Sequence, residues 1–315
     1  MSAFSLTGRF HGRRVAVLRG GLSAEREVSL NTGRAIATAL RSRPYEVVEI
    51  DPGHDLAARL VAERIDVVFN ALHGTWGEDG RLQGLLDWMN LPYTGDGLRA
   101  CLLAMDKQIS KVLFRQAGVP VADDVVLTRG VAGPELLRSP PFELPVVVKP
   151  VAEGSSVGVT IVRSPEAYPD ALASAFAVSS RVLVERFVAG TELSVVTLVD
   201  RALGAVEIAP AREFYDYEAK YGQSGTQYHI PPRLSAPLLD AALEAGLAAH
   251  RALGCRGVTR TDVICGPEGP IVLEVNTLPG MTATSLVPKV AAAAGMPFAD
   301  LLEFLLDRAG CGVEV

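Results

Sequence analysis

The chain has 315 residues, 49% of them hydrophobic and 21% charged, with a net charge of −6 at neutral pH. This is the composition of a globular protein with room for about two or three domains. It carries no basic block suited to nucleic acid, and no apolar run near the ~18 residues that span a membrane. The first residues lack the apolar centre and cleavage site of a signal peptide. Cys101, Cys255, Cys265 and Cys311 are scattered with no C-x-x-C pair. That argues against a zinc site or a disulfide framework and fits a reducing cytoplasm.

Residues 14–19 (RVAVLR) read as an apolar strand, followed by Gly20-Gly21 and then Ser23 as the N-cap of a helix from 24 to 40. Further strands are expected at 47–51 and 65–70, with a helix around 60–63 between them. The alternation implies a parallel sheet with helices on its faces. Asp51 ends its strand as a ribose-binding acid would, but the first turn reads GGLSAE, not G-x-G-x-x-G, which weakens a dinucleotide fold. Glu25 lies in the first turn of the helix, where an acid either offsets the helix dipole or binds a ligand. His73 opens HGTWGEDG directly after the third strand, at the carboxyl end of a parallel sheet, where open α/β folds bind ligands. A helix is expected at 81–89.

A new segment starts near Asp96 with one helix reaching 117, stopped by Gly118 and Pro120. Lys107 and Lys111 stand one turn apart on it; lone helical lysines are usually solvated. A short strand is expected at 125–128. Next, a strand ends in Lys149-Pro150, and the loop EGSSVG (153–158) leads back to a second strand. Small residues there let backbone N–H groups approach phosphate oxygens, with Lys149 as a point charge. The loop joins two strands, so it is not a Walker A loop. Ser164-Pro165 opens another helix. A strand at 181–187 carries Glu185 near its end, before Glu192 and a strand at 193–199. Residues 212–232 form a long polar stretch rich in Tyr, Gly and Gln, the pattern of a functional lid or of disorder, and its aromatic content argues against plain disorder. An amphipathic helix is expected at 235–253.

Residues 258–281 (VTRTDVICGPEGPIVLEVNTLPGM) read as a hairpin: strands at 258–264 and 271–276 around a turn at 265–270. Pairing even positions with even ones places Arg260, Asp262, Glu274 and Asn276 on one face, opposite Ile271, Leu273 and Val275. Two carboxylates so close need a cation between them, and hard oxygen donors without His or Cys suit Mg²⁺. A solvated outer face would carry the same residues; the hairpin alone does not decide. A helix near 298–308 closes the chain.

Taken together, GGLSAEREVSL (20–30), HGTWGEDGRLQG (from His73), MDK (105–107), VKP with EGSSVG (148–158), YDYEAKY (215–221), RTDV (260–263) and EVNTLPGMT (274–282) resemble the D-alanine–D-alanine ligases of the ATP-grasp superfamily over nearly the whole chain. The resemblance implies an α/β N-terminal domain with a Rossmann-like parallel sheet (1–96), followed by two α+β ATP-grasp domains (97–187 and 188–315). It implies that ATP phosphorylates the carboxylate of one D-alanine and that the amine of a second attacks the acyl phosphate, for peptidoglycan precursors.

The resemblance also implies roles. Asp262, Glu274 and Asn276 match ligands of two Mg²⁺ (or Mn²⁺) ions. Lys107 and Lys149 match lysines on the α- and β-phosphates, and Lys220 one that reaches the transferred phosphate. Glu185 and Glu192 match acceptors for adenine and ribose. Glu25 matches the acid on the first substrate's ammonium, with His73 nearby. Arg260 and the Gly280 N–H match an oxyanion site, and Ser285 a group at the second substrate's carboxylate. Ser155 and Tyr221 match the pair that, with Glu25, ties loop and lid over the site. Tyr at 221 implies an amine as second substrate. A cytoplasmic homodimer is implied, with small-molecule substrates and neither nucleic acid nor membrane as partner. The alternatives are a ligase using D-lactate or D-serine, and a nucleotide-binding regulator without catalysis; the full set of site residues argues against the regulator.

Overall fold

The computed structural model describes residues 4–154, 157–209, 225–282 and 284–312. Ser155, Lys220 and Tyr221 lie outside the described residues, as does most of the expected lid.

The first part is β1 (Arg14–Leu18), α1 (Arg26–Leu40), β2 (Glu46–Ile50), α2 (Leu56–Ala62), β3 (Val67–Asn70) and α3 (Arg81–Trp88). The strands form a parallel sheet in the order β2-β1-β3. Both faces are apolar, as covered parallel strands require: Val15, Val17, Val67 and Phe69 pack toward α1, and Ala16, Leu18 and Val68 toward α2 and α3. Asp51 does not face a ribose. It accepts the Gly21 N–H at 3.0 Å and pairs with Arg26. Gly20 makes that approach possible: its φ is +88°, and a Cβ there would lie 2.6 Å from Asp51 Oδ1. Helix α1 begins two residues later than expected, because the Ser23 hydroxyl is engaged elsewhere. It donates to the His73 carbonyl at 2.6 Å and accepts the Glu25 N–H.

The expected helix to 117 is two: α4 (Leu98–Met105) and α5 (Lys107–Gln116). Asp106 breaks it with extended backbone, and its carboxylate accepts the Ile109 N–H at 3.0 Å, a side-chain N-cap. After these come β4 (Asp124–Thr128), α6 (Pro134–Arg138), β5 (Val146–Pro150), β6 (Thr160–Val162), α7 (Tyr168–Val178) and β7 (Arg181–Arg186). A 3-10 turn at Pro165–Ala167 precedes α7. The antiparallel sheet runs β4-β7-β5-β6. Val146, Val148, Val182, Val184 and Leu127 pack one face against α7. Register puts Val147, Lys149, Asp124 and Glu185 on the other.

The last part is β8 (Thr191–Leu198), β9 (Arg201–Ala209), β10 (Gln227–His229), α8 (Ala236–Ala252), β11 (Val258–Gly266), β12 (Gly269–Asn276), α9 (Leu286–Ala293) and α10 (Phe298–Asp307). Its sheet runs β10-β9-β8-β11-β12. Leu193, Val195, Val263, Cys265 and Val275 meet α8 on one face. Gly246 lets that helix come close, since a Cβ there would sit 2.6 Å from Val195 Cγ1. The opposite face is divided along the strands. At one end Val196, Leu198, Val206 and Val258 pack against α9 and α10, and through them against the first part. The other end looks toward the β4-β7-β5-β6 sheet.

In the hairpin, Arg260 pairs with Asn276 and Asp262 with Glu274, the expected even register. The strands are longer and the turn tighter than expected. A bulge then shifts the register, so that Val263 pairs with Val272. This corrects the alternation read from the sequence: Val272 and Val275 both enter the core, and Leu273 turns out beside Glu274.

Candidate active site

Three cavities run through the seam between the parts. The first, about 390 Å³, lies between the two antiparallel sheets. Its walls are Val147 and Ile161 from one sheet and Ile208, Ile264 and Leu273 from the other. The bulge in β12 is what brings Leu273 into that wall. The short link from β7 to β8 closes one side, with Phe187, Val188, Glu185 and Glu192. Gly190 in this link is pressed against the hairpin: a Cβ would lie 2.4 Å from the Cys265 carbonyl oxygen.

The polar end of this cavity is built from ion pairs. Lys149 Nζ meets Glu185 Oε2 at 2.5 Å. Lys107 Nζ donates to the Glu153 carbonyl at 2.7 Å and pairs with Glu274 Oε2 at 3.1 Å. Asp262 is buried: Oδ1 accepts from Ser194 Oγ at 2.6 Å and Arg260 Nε at 2.9 Å, and Oδ2 from Arg260 Nη2 at 2.8 Å. Asn276 Oδ1 accepts the Leu278 N–H. Burial works to raise the Glu185 carboxyl, but the ammonium groups of Lys149 and Lys111 outweigh it and hold the group below its ordinary value.

The second cavity, about 90 Å³, continues from the first past Lys107, Gly154 and Glu274. Glu25, His73, Glu78, Arg260, Asn276 and Gly280 line it. His73 is fixed from both ring nitrogens, Nε2 on Thr32 Oγ1 at 3.0 Å and Nδ1 beside Glu78 at 3.4 Å. A third cavity, about 420 Å³, shares Arg260 and Gly280 with the second and ends at Ser285, Thr282 and Tyr228. Ser285 Oγ accepts the Thr282 N–H at 3.1 Å at the start of α9.

Among the described residues, the sites expected from sequence therefore converge. Glu185, Glu192, Lys149, Lys107, Asp262 and Glu274 line the first cavity; Glu25, His73, Arg260, Asn276 and Gly280 the second; Ser285 the third. Three participants were not expected. Ser194 holds Asp262, Glu78 orients His73, and Lys111, read as solvated, is buried against Glu185 and Asp124. A signal for Lys111 was present: Lys107, Ser110, Lys111 and Phe114 share one helical face, and Phe114 marks that face as buried.

Two antiparallel sheets closing on a cavity of small-molecule size, behind a parallel-sheet domain, define an ATP-grasp architecture. Models of the D-ala D-ala ligase N-terminus and C-terminus match residues 51–96 and 113–307. A D-alanine–D-alanine ligase of Anaeromyxobacter dehalogenans (strain 2CP-C) is 53% identical over 95% of this chain and 97% of its own. One from Geobacter sulfurreducens is 50% identical over 94% of each. The crystal structure of a D-alanine–D-alanine ligase from Bacillus anthracis complexed with ATP superposes with a TM-score of 0.82 at 33% identity, over 94% of this chain and 96% of that one. The chain belongs to the D-alanine–D-alanine ligase family.

Proposed function

We propose that this protein joins two D-alanines into D-alanyl-D-alanine at the expense of ATP, through an acyl phosphate. The observation that carries the reading is the order of the cavities. A nucleotide-sized space, a small acidic space and a third space follow one another, and Arg260 and Gly280 stand at the last junction.

The apolar walls of the first cavity suit a purine ring. Glu185 and Glu192 offer acceptors to its amine and ribose hydroxyls, and Lys149 and Lys107 offer ammonium groups to the phosphates. Glu25, in the second cavity, suits the ammonium of the first D-alanine and so turns its carboxylate toward the phosphates. Asp262, Glu274 and Asn276 supply hard oxygen donors on one face, and the two carboxylates are direct cross-strand neighbours. Two carboxylates and an amide oxygen are the hard donors a divalent cation takes, and Arg260 and Lys107 pair with the carboxylates in its place here. These residues would hold Mg²⁺ or Mn²⁺, which when bound offsets charge on the phosphate oxygens.

After transfer, the second D-alanine lies in the third cavity with its carboxylate near Ser285. Its amine attacks the acyl carbon across the junction. The oxygen that gains charge there meets the Arg260 guanidinium and the Gly280 N–H, and phosphate leaves. Ser155, Lys220 and Tyr221 complete the site by resemblance, closing it and reaching the transferred phosphate. We assign the enzyme to peptidoglycan precursor synthesis in the cytoplasm, in keeping with four free thiols. The division at residues 96 and 187, and a homodimer, are carried by the resemblance.

The test is ATP turnover across D-alanine, D-lactate and D-serine. D-alanine alone should release ADP, phosphate and dipeptide in equal amounts. Release only when D-lactate or D-serine is added would replace the second substrate, and no release with any would remove catalysis.

A further inference from the structure

Lys111 has no role in the reaction as described, yet it is one of the most buried side chains in the protein, 1% exposed. It projects from α5 onto the cavity face of the β4-β7-β5-β6 sheet. Its ammonium contacts Glu185 Oε1 directly and lies 3.3 Å from Asp124 Oδ1. Asp124 and Glu185 face each other across β4 and β7, a like-charge pair that repels without a cation between them. Arg115 holds the same Asp124 oxygen, Oδ1. Glu185 is held by Lys149 on its second oxygen. Glu185 and Lys149 line the first cavity, whereas Lys111 stands behind them.

Two carboxylates thus meet three cations. A nucleotide changes the demand on only one of these, since Lys149 alone among the three faces the cavity. If Lys149 turns to phosphate oxygens, Asp124 and Glu185 still face Arg115 and Lys111, and no buried charge is stranded. Without Lys111, Lys149 is the sole cation on Glu185 among the described residues. Drawing it away would leave a buried carboxylate unpaired, which is strongly unfavourable.

We propose that Lys111 is the standing counterion of Glu185, a positioning residue that frees Lys149 to leave that carboxylate for the phosphates of a bound nucleotide. This rests on reading the first cavity as the nucleotide site. Lys111 touches no substrate; it sets how cheaply Lys149 can change partners.

The test uses the full chain with Lys111→Met, Lys111→Arg, Glu185→Gln and the double variant Lys111→Met/Glu185→Gln. Binding of inorganic tripolyphosphate and of adenosine is measured by calorimetry with Mg²⁺, beside kcat and KM. Lys111→Met should weaken tripolyphosphate at least tenfold and raise the ATP KM similarly. Adenosine affinity and the D-alanine KM should stay within threefold. Lys111→Arg should restore the ATP KM to within threefold. The double variant should regain tripolyphosphate affinity, because Lys149 is no longer tethered, and a merely structural lysine would not give that reversal. Should Lys111→Met fail to fold, Glu185→Gln alone decides: it should bind tripolyphosphate at least threefold tighter than the wild type. Unchanged tripolyphosphate binding in Lys111→Met, no recovery in the double variant, or no tightening in Glu185→Gln would overturn the proposal. A wild type that binds neither ATP nor tripolyphosphate would remove the nucleotide reading itself, and the role of Lys111 with it.

Discussion

Arg260 grips Asp262 from two residues away on the same strand, with Nε 2.9 Å from Oδ1 and Nη2 2.8 Å from Oδ2. The planar fork satisfies both carboxylate oxygens at once, which the point charge of lysine cannot do. Arg260 also stands at the junction of the second and third cavities. Arg260→Lys should therefore lower kcat by about 10²–10³-fold, the usual cost of one lost oxyanion donor. The ATP KM should stay within threefold. Steady-state kinetics check this; a fall in ATP affinity with kcat preserved would move Arg260 out of the amide-forming step.

Glu274 faces the cavities from β12, paired with Lys107 and with its side chain 29% exposed. A carboxylate at that position costs the fold little to replace. Glu274→Gln should reduce turnover by at least 10²-fold while shifting Tm by no more than a few degrees. Calorimetry and an ADP-release assay read the two effects separately. Near-normal turnover would remove Glu274 from phosphoryl transfer.

Asp96 is a buried acid that lines none of these three cavities. Its Oδ1 accepts the N–H groups of Arg256 at 2.6 Å and Gly257 at 2.8 Å, while Oδ2 has no partner among the described residues. Burial raises its carboxyl to about 6, against the pull of those two N–H groups. The folded state then keeps a proton that the unfolded chain releases near its ordinary value of about 3.9. Its stabilising contribution is full below about pH 4 and is lost as pH rises through about 6, by ~3 kcal/mol in all. Asp96→Asn keeps the acceptor and cannot ionise. The stability of the wild type relative to Asp96→Asn should fall between about pH 4 and pH 6 and level off above it, as read by urea unfolding. A difference independent of pH would contradict this.

Gly246 lies where α8 touches Val195. Gly246→Ala gains helix propensity of up to about 1 kcal/mol but forces a methyl into filled space, which costs about 1–3 kcal/mol. The net should be destabilising, with kcat per folded molecule unchanged. Denaturant unfolding and active-site-normalised kinetics check it; a stabilised variant would mean that helix and sheet separate without cost.

The hairpin shows how far the sequence carries. Arg260, Asp262, Glu274 and Asn276 could be set on one face because strand side chains alternate with period two. Leu273 could not, since no residue in IVLEVN marks the bulge that turns it into the cavity. The strand-helix alternation of the first part was legible from its apolar runs. The break at Asp106 had a local signal, an N-cap acid, but the apolar pattern on both sides masked it. Lys111 and Ser194 were hidden for another reason. Their partners Glu185 and Asp262 lie 74 and 68 residues away, and only the assembled sheets bring them together.

The central claim is that ATP activates the carboxylate of one D-alanine before the second attacks. D-alanine labelled with ¹⁸O in both carboxylate oxygens tests it most directly. In the claimed sequence one labelled oxygen is carried into inorganic phosphate for each dipeptide formed, and mass spectrometry of the released phosphate should find it. Dipeptide formation with unlabelled phosphate would contradict the account.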